Sequence, residues 1–435
     1  MTLAPPQPSL DQTPARAGVL RPWLPYPWEM LGLLWLAFFF NQADRQIFGV
    51  VLTSIRADLG LSDAQLGLIA SVLFWTLGLT FPVAGYVGDR WSKKWTITCS
   101  LLFWSAATMC TGLSRTVGHL VVLRSVATGG GEAFYAPSAF ALIAHFHRRT
   151  RALAMSIHQT AMYAGFVLSG ALGGYLSQTY GWRSAFYAFG TAGVVLALVF
   201  MFRLKDARPA DEPQAGPQEP VTLHALLGTF FRTPTAVLLT VAYTGMIFMH
   251  LAYLTWTPAF LRERFAMSEA RAGFVSMFYF QAFALVGVLL GGVLSDRWAR
   301  RRRTARMEML AFGLVASAPW ICLVGLANSP AWVALGLAGF GFFRGFYDAN
   351  SYAALFDVIR PRNRASANAL MSTIGFLLGA ASPALMGLVK PVVGLSWALA
   401  AFSITHWIGA AAVLVALGRY FHKDFCEQEE HTAHA

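Results

Sequence analysis

Charge is what this sequence has least of. Asp, Glu, Lys and Arg make up 12% of its 435 residues, against about 25% in ordinary soluble domains. A soluble chain of this length divides into several cores, each needing a charged skin, and these residues cannot supply one. Cysteine is almost as scarce. Cys99, Cys110, Cys322 and Cys426 have no ligand spacing, and the first three fall in apolar segments, so neither a disulfide framework nor a metal site is indicated. There is no Ser-His-Asp spacing, no His-Glu-x-x-His and no phosphate loop, and Gly129–Gly131 lack the strand and lysine of a nucleotide site. Nothing points to catalysis or to a bound cofactor. No cleavable leader is expected from the stretch before Trp28, which is proline-rich and polar, with Arg16 and Arg21, and reads as a disordered tail.

Apolar residues, 56% of the chain with 34 phenylalanines, fill the place of the missing charge, and they come in long blocks. A helix needs about 20 residues to cross a hydrocarbon layer of about 30 Å. Twelve blocks have that length: 28–52, 64–87, 95–114, 118–144, 152–178, 182–203, 233–260, 271–294, 307–326, 331–357, 365–389 and 394–419. The block 118–144 is interrupted by Gly129-Gly130-Gly131-Glu132 and Pro137, which membrane helices tolerate where neighbours satisfy the backbone. The pattern predicts an all-α membrane protein with twelve transmembrane helices in two pseudo-symmetric six-helix bundles. Its parts are an N-terminal tail (1–27), a first bundle (28–203), a linker (204–232), a second bundle (233–420) and a C-terminal tail (421–435). The linker carries Pro209, Pro213, Pro217 and Pro220 among acidic and amide residues, a disordered composition.

Loop charge sets the orientation. Arg90, Lys93, Lys94, Arg148, Arg149, Arg151, Arg203, Lys205, Arg208, Arg300–Arg303, Arg360, Arg362 and Arg364 fall on the side of both termini and the linker. By the excess of cations in cytoplasmic loops, that side is expected to be cytoplasmic, in a bacterial inner membrane. The net charge of +12 then belongs to topology and anionic headgroups. Because the cations are divided among short loops, a nucleic-acid partner is not expected.

The halves repeat each other. Gly85-Tyr-Val-Gly-Asp89-Arg90-Trp91 follows the second span, and Gly292-Val-Leu-Ser-Asp296-Arg297-Trp298 follows the eighth. Phe134-Tyr135, leading to Arg151-Ala152, is matched by Phe346-Tyr347, leading to Arg364-Ala365. Paired halves let a site between them open alternately to each side. Gly-x-x-x-Asp-Arg followed by basic residues resembles the signature of the major facilitator superfamily, over roughly residues 28–420, although Ser92 stands where glycine is common and Lys93-Lys94 replace arginines. Asn41-Gln-Ala-Asp44-Arg45-Gln46, Arg124, Gly131-Glu132-Ala133, Gly173-Gly174-Tyr175 and Gly181-Trp182-Arg183 resemble the bacterial spinster-like branch. The organic anion symporter branch shares much of that pattern. The resemblance implies the major facilitator fold, alternating access, and gating at the inner ends of the halves by Gly85, Asp89, Arg90, Lys94, Gly292, Asp296 and Arg297. It also implies coupling roles for Asp44, Arg124 and Glu132.

Six charged groups lie inside expected spans and away from the loops: Asp44, Arg45, Arg124, Glu132, Arg344 and Asp348. Charges in a bilayer are costly and usually face a water-filled path. Arg344 and Asp348 are four apart, on one helix face. Arg124 and Glu132, eight apart, are separated by about 12 Å along the axis and about 80° around it. Asp44 and Arg45 diverge by about 100°, so one is expected to face the cavity and the other an interhelical contact. Asp44, Glu132 and Asp348 are the candidate proton carriers, with a proton gradient as driving force, because a carboxylate between apolar groups and an arginine changes proton affinity with its pairing. Arg124 and Arg344, in equivalent spans of opposite halves, suit a clamp on a carboxylate or phosphate. Arg45, His158, Gln159, Tyr163, His250, Tyr253 and Gln281 are the remaining substrate candidates, with Tyr279 and Asn368 weaker. Gly165, Gly170, Gly173, Gly174, Gly375 and Gly379 allow close helix approach.

The expected function is secondary active transport, as proton-coupled symport of a small organic anion such as a carboxylate, sugar acid or phosphorylated solute. The other substrate class is a lysophospholipid or sphingoid lipid, by the spinster-like resemblance. A channel or membrane enzyme is the rival class. The lipid bilayer and the organic anion or amphipathic lipid substrate are the expected partners, and a monomer is the expected working unit.

Overall fold

The computed structural model describes residues 25–148, 150–206, 227, 228, 230–360 and 363–425. Among the described residues there is no strand. Ten helices are α1 Tyr26–Leu59, α2 Asp63–Arg90, α3 Lys93–Thr111, α4 spanning 117–146, α5 Arg151–Tyr180, α6 Trp182–Arg203, α7 Pro234–Phe265, α8 Glu269–Ala299, α9 Ala305–Leu326 and α10 Pro330–Val358. The last two, α11 and α12, meet at Gly394, whose φ of 76° breaks the run Ser382–Ala401, and each contains a turn, at 380–381 and at 402–403. Thus α11 covers 364–393 and α12 covers 395–424. The tails 1–24 and 426–435 and linker residues 207–226 lie outside the described residues.

Local chemistry explains the boundaries. Gly60, at φ 63°, ends α1 in the left-handed conformation that glycine adopts without a Cβ penalty. Ser62 and Gln65 form a reciprocal capping box at the start of α2. Ser92 and Ser268 accept from the third-residue amides of α3 and α8. Proline occupies the first turn of α7 and α10, where its missing N–H costs nothing. Gly181, at φ 87°, separates α5 from α6.

Six apolar runs are long enough to cross a membrane by length and composition, and the longest, Ser366–Asp424, contains both α11 and α12. The helices outside these runs include α1, α4 and α10, whose polar side chains dilute the apolar stretch. The expected span 118–144 is not a uniform helix. Leu120–Ala127 is π-helical, Thr128–Glu132 is α-helical, and a turn at Ala133-Phe134 precedes Tyr135–Phe146.

Packing repeats between the halves. α1 packs on α5, α3 on α6 and α2 on α4, as α7 packs on α11, α9 on α12 and α8 on α10. The terminal ends are tied alike: Glu29 pairs with Arg203 at 2.5 Å, joining α1 to α6, and the Thr235 amide donates to Asp424 at 2.9 Å, joining α7 to α12.

The halves join through α5 with α8, α2 with α11, and α1 with α7. Those contacts lie in the half of each helix remote from the termini. Gly170 and Gly174 touch the backbone of Gly273 and Ala270, Gly67 touches Pro383, Gly387 touches Asp63, and Gly49 touches Leu254 and Thr255. The Trp75 indole donates to Leu377 O at 2.9 Å, and Ser71 Oγ accepts from the Ala384 amide at 2.9 Å. Gln159 lies on the same face of α5 as Gly170 and Gly174, yet it is exposed. A face packed at one end and exposed at the other is diverging from its neighbour. The halves therefore form a wedge, closed away from the termini and open toward them.

Candidate functional site

Two charged clusters face the wedge, one from each half. In the first, Asp44 and Arg45 of α1 meet Arg124 and Glu132 of α4. Arg45 Nε lies 2.7 Å from Glu132 Oε2, and its Nη2 donates to Asn41 Oδ1 at 3.2 Å. Arg124 Nη2 donates to the backbone carbonyl of Asp44 at 2.8 Å and approaches that of Arg45 at 3.4 Å. Asp44 Oδ2 accepts from Thr108 of α3 at 3.1 Å. The adjacent pair thus divides: Asp44 makes the interhelical contact, while Arg45 turns toward the cavity with 15% of its side chain exposed.

Arg124 itself is buried in its own half, at 2% exposure. The expected clamp of Arg124 across from Arg344 is not the arrangement in this state; Arg45 stands at that edge instead. The reason is local. The π-helical stretch 120–127 places Arg124 while the glycines after it let α4 approach its neighbours: a Cβ at Gly129 would meet Leu73 O, and one at Gly131 would meet Phe103 and Trp104. π-turns of this kind recur at functional sites. Asp44 Oδ1, Glu132 Oε1, and Arg124 Nε and Nη1 are buried without hydrogen-bond partners. Buried charged atoms without partners are costly, which suits a network that exchanges partners. A cavity of about 10 Å³, lined by Arg45, Arg124, Gly49 and, from the other half, Thr255, has the volume of one water.

In the second cluster, Arg344 Nε lies 3.1 Å from Asp348 Oδ2 on α10, close enough for ion pairing although the N–H is not aimed well enough for a hydrogen bond. Arg344 Nη1 lies 2.6 Å from His250 Nδ1 of α7. A guanidinium only donates, so Nδ1 accepts, and the His250 ring is neutral with its proton on Nε2 when this contact is made. The Arg344 guanidinium also stands 5.1 Å from the Phe280 ring centre. His250 reaches Phe166 of α5, with ring centres 6.5 Å apart, so this cluster meets the other half. It is wetter than the first: 28% of the Asp348 side chain is exposed, against 0% for Glu132.

The other candidates separate by place. Gln159 and Tyr163 share the diverging face of α5, Gln159 exposed and Tyr163 half-buried. His158 is buried between α1, α4 and α5, stacked on Phe38 with its Nε2 2.9 Å from the Tyr135 hydroxyl, so it lies inside its own half. Tyr253 is buried and donates to Ser276 O, and Gln281 is also buried. Gly165 and Gly173 approach α1, while Gly375 and Gly379 approach α7, so only Gly170 and Gly174 of the six join the halves. At the terminal ends Arg90, Asp296 and Arg297 are exposed, and a Cβ at Gly85 or Gly292 would meet nothing. The side chain of Asp89 lies outside the described residues.

Sequence reasoning missed the ionic closure away from the termini. Lys390 of α11 lies 2.9 Å from Asp63 of α2 and 2.7 Å from Glu263 of α7. Arg56 of α1 stands 3.3 Å from each of those acids. Alongside, Glu269 of α8 takes Arg262 of α7 and Ser54 of α1, and Arg262 donates to Thr53. The signal was present: Lys390 ends an apolar run just beyond the expected span 365–389. The Gly181-Trp182-Arg183 motif turns out to be structural, since Trp182 Nε1 and Arg183 Nη1 both donate to Asp58, at 3.1 and 2.6 Å.

The sequence model of the Major Facilitator Superfamily matches residues 34–383. The chain belongs to that superfamily. It is similar to the probable galactarate/D-glucarate transporter GudP of Bacillus subtilis, 25% identical over 396 residues covering 84% of this chain and 86% of that protein. It is 30% identical over 380 residues to protein spinster homolog 1 of Mus musculus, covering 82% and 72%. The sphingosine-1-phosphate transporter SPNS2 of the same organism is 27% identical over 381 residues, covering 83% and 69%. Among solved structures, a bacterial homolog of the human lysosomal transporter spinster, inward-facing and unoccupied, shares the fold with a TM-score of 0.81 at 22% identity, over 93% of this chain and 99% of that one. This transporter is accordingly a multi-pass membrane protein and a secondary carrier, not an enzyme. Its two six-helix bundles form the major facilitator fold.

Proposed function

We propose that this carrier imports a small organic anion together with protons, across a bacterial inner membrane with both termini in the cytoplasm. Arg344 supports the reading most directly. It is a cation in the wall between the halves, pressed on a neutral histidine and loosely paired with Asp348, and a planar guanidinium takes a carboxylate by two parallel bonds. Arg45 offers a second cation from the other half. Each arginine has its own acid, so substrate that recruits the arginine releases the acid, and the released acid binds a proton. Substrate and proton affinities are then linked. Glu132 and Asp348 are the acids paired in this way, and Asp44, buried in the first cluster, is the third candidate. The basic residues Lys94, Arg151, Arg203 and Arg300–Arg302, on the open terminal side, support a cytoplasmic assignment of that side.

The similarity to spinster proteins favours a lysophospholipid or sphingoid lipid as second reading, and the aromatic wall of Phe166, Phe280 and Phe340 around His250 and Tyr253 would suit a tail. Uptake into proteoliposomes separates them. Labelled aldaric and other sugar acids are expected to accumulate when the lumen is alkaline, and to equilibrate when a protonophore is added. Transport of lysolipid with no response to sugar acids would replace the anion reading, and accumulation indifferent to the protonophore would remove proton coupling.

A further inference from the structure

A groove of about 710 Å³ runs between α2, α3 and α4, on the face turned away from the wedge. Val122 and Val126 line it, two residues either side of Arg124 and so on the opposite face of α4 from that buried cation. Both are about half exposed, as a membrane-facing wall would be. The groove exists because α4 brings almost no side chain to it at Gly130 and Gly131.

We propose that this groove holds one anionic phospholipid from the leaflet on the side of the termini, with an acyl chain along α3 and its headgroup at the junction of α2 and α3. Depth and charge support that occupant. From Lys93, where α3 begins, to Phe103 at the inner end is ten residues, about 15 Å of helix, and half of a hydrocarbon core is about the same. Along α3 the groove is thus about one leaflet deep, and its α4 wall at Val126 and Val122, beside Ser125 whose hydroxyl donates to Ile69 O near the remote end of α2, carries the apolar slot on past the midplane. Its mouth is flanked by Trp91 and Trp95, exposed and placed as interfacial anchors. Two cations stand beside that mouth. Lys94 Nζ lies 5.3 Å from the ring centre of Trp95, itself a groove wall, and the Arg90 guanidinium is held 3.8 Å over Tyr86. An apolar slot with cations at its aqueous end matches an anionic lipid at both ends.

The test uses the purified full-length protein and compares phosphatidylglycerol with phosphatidylcholine, by native mass spectrometry and by melting temperature. Wild type is expected to retain phosphatidylglycerol adducts at several-fold higher occupancy and to melt higher with that lipid. Gly130→Leu fills the slot at a position where a Cβ meets only Thr76 Cγ2 at 3.8 Å, and is expected to lose the adduct. Arg90→Gln with Lys94→Gln is expected to bind both lipids equally. To guard against misfolding, Cys99, a lining residue, is alkylated after purification in a chain whose other cysteines are serine, and the same loss is expected. Equal occupancy by both lipids in wild type, or an undiminished adduct after Gly130→Leu and Cys99 alkylation, would overturn the proposal. A dimer that dissociates when the groove is filled would also overturn it, making the groove a contact between copies.

Discussion

Arg344 illustrates how side-chain chemistry, beyond charge, sets what this site can bind. Lysine in its place would keep the cation but lose the planar fork that touches His250 and Asp348 together. Arg344→Lys is expected to weaken anion binding at least tenfold while leaving the melting temperature within a few degrees, as measured by ligand titration and thermal unfolding. Unchanged affinity would move the site elsewhere. Asp44 is a different case, buried against Thr108 and beside the backbone that Arg124 grips. In Asp44→Asn, gradient-driven accumulation is expected to disappear while exchange of internal for external substrate persists. Accumulation at the wild-type level would remove Asp44 from the coupling path. The pairing of Arg344 with Asp348 was readable from their spacing of four. That of Arg45 with Glu132 was not, because the π-helical stretch and the turn after Glu132 alter the direction of every side chain on α4 in a way no uniform helical wheel contains.

Among the helices, glycines divide by which state they serve. Gly170 and Gly273 lie backbone to backbone between α5 and α8, so Gly170→Leu is expected to disfavour the observed state, raising spin-label distances across the ends remote from the termini. Gly292 meets nothing in this state, and Gly292→Leu is expected to leave those distances unchanged while hindering closure of the terminal side. Equal effects from the two substitutions would refute that division. The α1–α6 tie gives a pH dependence. Arg183 and Trp182 hold Asp58, at the aqueous end of α1, below the usual carboxylate range. A depressed folded value contributes stability above the ordinary value of about 3.9, and that contribution fades as pH falls through the lowered value. Asp58→Asn is expected to melt slightly lower than wild type at pH 7, the carboxylate being partly exposed and screened, and to converge with it in acid. A gap that persists at low pH would assign the tie to packing.

The whole molecule is a closed end and an open end, and Lys390 is the hub of the closure. It reaches acids from both halves at once, and removing one partner of a buried ion pair costs about 3–5 kcal/mol by leaving the other charge unpaired. Lys390→Met is expected to shift the population toward a state open on the side remote from the termini. Double electron–electron resonance between labels on α2 and α11 would show a longer-distance peak; an unaltered distribution would make the latch dispensable.

The sequence by itself determined that the chain crosses a membrane, that it has two related halves, and which side carries the cations. Those properties follow from apolar length and loop charge, which are additive along the chain and need no partner. Membership of the superfamily followed from Gly-x-x-x-Asp-Arg and its second copy. Only the tertiary structure decided that Asp44 turns inward while Arg45 turns to the cavity, that Arg124 grips the backbone of α1, and that Lys390 joins two acids more than a hundred residues away. Such contacts depend on helix rotation and on which end of the wedge is shut. Both are set by packing between halves, where glycine removes side chains and lets distant backbones meet.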